Sequence, residues 1–292
     1  MTTPSVVVVL ASFRPRAIAE GAIAALLPQC TAHGARLVVA RRPADADERW
    51  LGDRFPGALV VSCPATADVP SIRGAGLRMA AAEWVFLTED NCLADPDWLP
   101  AMMAALNPDV GVIGGIMWNA RTARIIDWGA FFAEYGFFGP ETIPGEPVLV
   151  TGANVAYRGD LVEGIAASAL AGDWEDVIHG RLSARGVALA RAPRAVVRQQ
   201  LHYRLGSFMR DRFEHGRDYA TVRRDGWGLA LRLLHGVAAP ALPLLLAARI
   251  WRATGRHSSR SFWRALPATL VFLLAWGVGE SFGYLWSPSA DV

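Results

Sequence analysis

The stretch Glu83–Leu99, EWVFLTEDNCLADPDWL, places two carboxylates, Glu89 and Asp90, directly after the greasy run Trp84–Leu87. Hard divalent ions such as magnesium are held by one or two carboxylates together with substrate phosphates. An acidic pair at a strand end could therefore hold a metal that bridges a nucleotide diphosphate and helps it leave. Asp95 and Asp97 read differently: they precede the helical pattern DWLPAMMAAL and suit capping. Glu89 and Asp90 come too early for that. A second pattern, Gly74-Ala-Gly76, opens a G-x-G-x-x-x-A run. A dinucleotide fingerprint follows the first strand directly and has an acid ending the next strand. Here the glycines follow a third strand and the loop CPATADVPS, which makes a dinucleotide oxidoreductase the lesser reading. Cys30, Cys63 and Cys92 have no metal-like spacing and cannot all pair, so they read as reduced thiols of a cytosolic protein.

Positioning these groups requires strands and helices in alternation, and the sequence supplies them. Strands are expected at Val6–Leu10, Arg36–Ala40, Leu59–Ser62, Trp84–Leu87 and Val110–Gly115. Helices are expected over Ile18–Leu27, ending near Pro28, then over Ser71–Ala82 and Asp97–Leu106. This order implies an α/β layered domain with a mostly parallel sheet. Ligands of such sheets sit outside the carboxyl ends of the strands. LASFR and LTEDN both lie at such ends and can face one crevice. Trp128–Phe138 reads as core packing, with an acceptor-side wall or membrane patch as the alternative. Gly139–Pro147 is a turn-rich loop. Val150–Asp160 leads into a helix, and Gly172–Gly186 is a further helix with a glycine stop.

Charged residues are 19% of the 292 and hydrophobic ones 52%, and the apolar excess is concentrated in the last 65 or so. Eleven arginines crowd the C-terminal third, from Arg210 to Arg264. Basic residues beside apolar runs point to a membrane surface rather than to nucleic acid. A span needs about 20 apolar residues. Gly228–Ile250, interrupted by Arg232 and His235 and bent by Pro240 and Pro243, reads as an interfacial or re-entrant helix. Residues 265–286, broken only by Glu280, read as a membrane-spanning helix. A two-span hairpin conflicts with the basic flanks on both sides of the first segment. The start MTTPS lacks a basic leader and VVVVL is too short for a signal core, so the bulk is expected to stay in the cytoplasm. The expected division is 1–226 as the catalytic domain and 227–292 as the membrane-associated region.

Five stretches, in order, resemble the family-2 glycosyltransferases, a large inverting family with the nucleotide-sugar-binding GT-A fold. VVVVLASFRPR resembles the family's first strand and nucleotide loop. SIRGAGLRMAAAEWVFLTED resembles the helix that leads to its acidic metal motif, and DPDWL the segment that usually follows. VTGANVAYRGDL is similar to the family's acceptor-side stretch, and GDWEDVIHGRLSARG to the helix carrying the catalytic base. The match runs from about Val6 to Gly216. The resemblance implies that Ser12 and Arg14 line the nucleotide pocket and that Arg73 approaches the diphosphate, with Arg212 and Arg217 as further cations. It also implies a Mg2+ or Mn2+ site at Glu89 and Asp90, and Asn154 near donor sugar or acceptor. Asp176 would be the base, with Glu175 beside it. The family's metal-ligating histidine follows a late strand; here AVVRQQLHYR offers Gln199 or Gln200, with His202 as a displaced candidate. Two departures stand out: Arg41 and Arg42 replace the usual acid after the second strand, with Asp45 and Asp47 further on, and Thr88 occupies the first position of the acidic motif. The implied reaction moves a sugar from a nucleotide-diphosphate donor to a hydroxyl or phosphate acceptor, lipid-linked or glycan, with inversion, at the cytoplasmic side of the membrane. A non-catalytic membrane adaptor with the same fold is the rival.

Overall fold

The computed structural model describes residues 5–45 and 48–286; Asp47, one of the acids noted above, lies outside them. The chain order is β1 (Val6–Ser12), α1 (Arg16–Ala32), β2 (Arg36–Arg41), α2 (Trp50–Arg54), β3 (Ala58–Ser62), α3 (Val69–Arg78), β4 (Trp84–Glu89), β5 (Cys92–Ala94), α4 (Trp98–Met103) and β6 (Val112–Asn119). Then follow α5 (Ile125–Tyr135), β7 (Asn154–Arg158), α6 (Gly159–Leu170), α7 (Glu175–Ala184), β8 (Leu189–Gln199), α8 (Leu205–Arg223), α9 (Leu229–Ala238), α10 (Leu242–Ala253) and α11 (Ser259–Leu285). They form two compact units. One is Met1–Trp118 with Gly145–Gln200; the other is Asn119–Pro144 with Leu201–Val292.

The first unit is built on an eight-stranded sheet in the order β3-β2-β1-β4-β7-β6-β8-β5. The β-branched strand β1 is buried throughout and pairs in parallel with β2 and β4. β3 adds a further parallel edge, whereas β7 runs antiparallel to both β4 and β6. Only Asp90 and Asn91 separate β4 from β5, yet β5 pairs with β8 at the far end of the order. Two residues of chain reach roughly 7 Å, so the sheet must curl until its last strand returns beside β4. Asp90 lies at that seam.

Several expectations are corrected here. Helix α1 continues through Pro28 to Ala32. The missing donor is offset by tertiary ties: the Gln29 amide donates to the carbonyls of Ala25 and Asp95 and accepts from the Leu99 backbone, while Cys30 is buried. The capping role given to Asp95 and Asp97 is not seen. Asp97 occupies the N-cap position of α4 without a side-chain bond, and Asp95 pairs with Arg198 on β8. The short elements α2 and β5 carry too few residues to show a period. Gly74 and Gly76 sit inside α3. A Cβ on Gly76 would stand 2.5 Å from Val9 Cγ1, and one on Gly74 2.8 Å from Leu170 Cγ. These glycines let α3 pack between the sheet and α6, so they are no phosphate-binding turn.

The second unit is helical. Trp128, Phe131 and Phe132 of α5 are buried, with Phe132 against Phe262 of α11, which favours the core reading of Trp128–Phe138. Helix α8 runs alongside α11, Phe208 meeting Phe272 and Phe213 meeting Phe282. Two helical stretches, Leu229–Ala253 and Gly255–Leu285, are long and apolar enough to cross a membrane by length and composition.

Candidate functional site

Strand β4 delivers Glu89 and Asp90 to the sheet seam, and the two side chains do different things. Asp90 Oδ2 accepts three hydrogen bonds, from Ser12 Oγ at 2.9 Å and from the backbone N–H groups of Phe13 and Arg14 at 2.8 Å each. It therefore fixes the loop that follows β1. Its other oxygen, Oδ1, is buried with no partner among the described residues. Burial pushes the Asp90 carboxyl above its ordinary pKa, against the downward pull of those three donors. Arg41 braces the same loop from β2. Its guanidinium donates to Ser12 Oγ at 2.8 Å and to the Arg14 carbonyl at 2.9 Å, and it is balanced by Asp45 and Glu48. The basic residue that departs from the family pattern thus supports the loop from behind. Ser12 is wholly buried and spent in this network, while Arg14 is half-buried, with its guanidinium 5.0 Å from the Phe13 ring centroid.

Glu89 faces elsewhere. Its Oε1 accepts from Arg73 Nη2 at 2.6 Å and Nε at 3.1 Å, and Arg73 Nη1 reaches Glu175 Oε2 at 2.5 Å. A buried arginine on α3 thereby ties the tip of β4 to the first turn of α7. Arg73 was expected at a diphosphate; in the structure its charge is shared between two carboxylates. Desolvation alone would raise the Glu175 pKa, but the Arg73 charge and hydrogen bond outweigh it and hold the group at about 2. Glu175 Oε1 also accepts from the Gly152 backbone at 3.2 Å. One turn on, the buried His179 is held down at about 4, by desolvation first. It is neutral near pH 7. Its Nδ1 faces the Val150 carbonyl at 3.1 Å and therefore carries the proton, which leaves Nε2 to accept from the Tyr157 hydroxyl at 2.9 Å. Sequence reasoning did not single out His179 or Tyr157. The signal was present: positions 175 and 179 share a helix face.

Asp176, beside Glu175, is exposed. Partial desolvation and then the Glu175 charge raise its pKa above the ordinary aspartate value. A small cavity lies at this ion network, where Arg73, Tyr157 and Glu175 meet the apolar side chains of Leu77, Leu87 and Ile178.

Other expected site residues are elsewhere or engaged. Asn154 is fully buried: its Oδ1 accepts from Trp98 Nε1 at 2.8 Å, and its Nδ2 donates to the carbonyls of Ile116 and Ala195, both at 3.0 Å. It joins strands and has no donor left for a ligand. His202, Arg212 and Arg217 belong to the helical unit. His202 Nδ1 is 2.8 Å from Asp127, Arg212 is buried over the rings of Phe208 and Trp276, and Arg217 is exposed and pairs with Asp218. Gln200, one of the two positions where the family histidine was expected, donates to the Asp90 carbonyl at 3.0 Å, and Gln199, the other, is fully buried. Among the described residues no group of three or more His, Cys, Asp or Glu is gathered as a metal cluster. A divalent ion held mainly by diphosphate oxygens needs less. The orphaned Asp90 Oδ1 fits that role as a single hard oxygen; Glu89 Oε1 is taken by Arg73, and His202, whose Nδ1 faces Asp127, belongs to the helical unit.

No family model and no curated protein matches the chain. Solved structures do. A mannosyltransferase, PcManGT, from Pyrobaculum calidifontis in complex with GDP-Man and Mn2+ superposes with a TM-score of 0.60 at 17% identity, covering 98% of this chain and 88% of that one. Glucosyl-3-phosphoglycerate synthase from Mycobacterium tuberculosis, with Mn2+ and UDP-glucose, gives 0.43 at 14% identity over 70% and 73% of the two chains. Mannosyl-3-phosphoglycerate synthase from Rubrobacter xylanophilus gives 0.40 at 14% over 68% of each. The first of these likenesses is one of fold, and the architecture is GT-A-like.

Proposed function

We propose that this chain is a glycosyltransferase that moves a sugar, with inversion, from a nucleotide-diphosphate donor to an acceptor hydroxyl. The observation that carries the reading is the Glu89–Arg73–Glu175 bridge, which joins an acidic strand tip to a helix start 86 positions away in sequence. Asp90 and Asp176 are the next residues on either side of it. The fold likeness to a mannosyltransferase solved with GDP-Man and Mn2+ supports the donor class.

In this reading Asp176 is the base. Its raised pKa makes it a stronger proton acceptor than an ordinary aspartate. Arg73 is assigned to positioning, because its charge already serves Glu89 and Glu175. The loop Ser12–Arg14, braced by Asp90 and Arg41, offers the wall for the nucleotide, with Arg14 as its cation. Asp90 Oδ1 would hold Mg2+ or Mn2+, which when bound supplies positive charge at the departing diphosphate. Residues 1–226 carry the chemistry and 227–292 the association with the cytoplasmic face of a membrane; that association favours a lipid-linked acceptor.

The test is nucleotide release by the purified full chain from a panel of UDP-, GDP- and dTDP-sugars with Mg2+ or Mn2+. Release from one donor, lost in Asp176→Asn, is expected. No release from any of them would overturn the enzyme reading and favour the adaptor, which also predicts that Asp176→Asn leaves cellular function intact.

A further inference from the structure

Helices α9, α10 and α11 form an antiparallel hairpin. Arg232 Nε donates to the Tyr284 carbonyl at 3.0 Å, Ser281 Oγ donates to the Gly236 carbonyl at 2.7 Å, and the Trp251 ring packs at a tilt against Phe262 with centroids 5.1 Å apart. Its outer surface is apolar to an unusual degree: Leu229, Leu234, Val237, Leu244, Trp263 and Trp286 are each 58% exposed or more. A patch of this kind marks an interaction site. We propose that the hairpin lies in the plane of an anionic bilayer, embedded by this face, and does not cross it. This rests on the membrane association proposed above and specifies its geometry.

Three observations carry the geometry. First, α8 accompanies α11 through Phe208–Phe272 and Phe213–Phe282, and it exposes Arg210, Asp211, Glu214, Arg217 and Asp218. Were α11 to cross hydrocarbon, these charges would travel with it, and each is costly to hold in lipid. Second, the charged helix and the apolar stripe lie on different sides of α11. At 3.6 residues per turn, Phe272, Trp276, Gly279 and Gly283, which meet α8, are roughly opposite the exposed Trp263 and Leu274, with the exposed Val271 on the flank between. That is the division expected of an element half in lipid and half in water. Third, between Asp225 and Glu280 the sequence has six arginines and no acid. Arg256, Arg260 and Arg264 are exposed around the hairpin turn, while Arg223 and Arg232 sit near its open end. A crossing hairpin would place a basic cluster on each side of the membrane, against the usual charge asymmetry. In plane, both ends meet the same anionic headgroups.

Topology is read with cysteines, because Cys30, Cys63 and Cys92 are all buried. Full-length Ser259→Cys, at the hairpin turn, and Ser207→Cys, at the start of α8, are labelled with an impermeant maleimide in sealed inverted and right-side-out vesicles from expressing cells. Labelling of both positions in the same vesicle type is expected. Labelling in opposite types, or absence of the chain from membranes, would overturn the proposal. Purified protein should also bind phosphatidylglycerol vesicles at least tenfold better than phosphatidylcholine ones. That preference should vanish in the triple variant Arg256→Gln, Arg260→Gln, Arg264→Gln, and Leu234→Asp with Val237→Asp should reduce binding tenfold. Equal binding to both lipids, or unchanged binding by these variants, counts against it. Nucleotide release by the same preparations reports the catalytic reading separately.

Discussion

Arg73 is the residue on which the candidate site turns. Its guanidinium is buried between Glu89 and Glu175, and removing it leaves two carboxylates facing each other without compensation. Breaking a buried pair in this way costs about 3–5 kcal/mol. Arg73→Met should therefore lower the denaturant midpoint by a corresponding amount, and Arg73→Lys, which keeps the charge but loses the fork, by less. Asp176 makes the opposite prediction. It is exposed at the start of α7, so Asp176→Asn should leave the melting temperature within a degree or two while nucleotide release falls roughly 10²–10⁴-fold. The acid limb of the pH–rate profile should report a pKa above the usual aspartate value of 3.8, because desolvation and Glu175 both raise it. A limb at or below that value would remove Asp176 from the role of base.

At the scale of elements, close approach is the governing fact. Helix α3 reaches the sheet because Gly76 leaves room for Val9 and Ala40. Gly76→Val should cost about 1–3 kcal/mol through overpacking, visible as a lower melting temperature, and should shift Arg73 with the helix. In the helical unit, a Cβ on Gly279 would collide with the Phe213 carbonyl, and one on Gly216 with that of Trp276. Here the obstacle is backbone, which cannot rotate away. Gly279→Val should separate α8 from α11 and destabilise that unit more than Gly76→Val does the first, read as a separate early transition by calorimetry.

For the molecule as a whole, the ion network makes stability depend on pH with a defined sign. His179 is depressed from 6.5 to about 4, so its contribution is complete above pH 6.5 and is lost as pH falls towards 4. Glu175 is depressed from 4.5 to about 2; its contribution is present above 4.5 and is lost between there and 2. Asp90 and Asp176, both raised, act in the opposite sense near and above 3.8. Denaturant midpoints measured at pH 7.5, 5 and 3.5 should fall in two stages, and His179→Gln should flatten the first stage while leaving the second.

The local pattern of the chain was enough to determine the alternation of strands and helices, the burial of β1, the acidic end of β4 and the helix start that carries Glu175 and Asp176. Each is written in a period or a cap over a few neighbouring residues. The partners were not. Nothing near Arg73 in the sequence says that its charge is consumed by Glu89 and Glu175, or that Asn154 is locked to Trp98, Ile116 and Ala195. Nor does any local signal say that Asp90 holds a loop 76 positions away, or that an apolar tail has a charged helix on its back. Those outcomes depend on which side chains meet when the sheet curls and the helices pack. A hydrogen bond or ion pair is decided by distances of a few tenths of an ångström between residues remote in sequence, and only the tertiary structure fixes those distances.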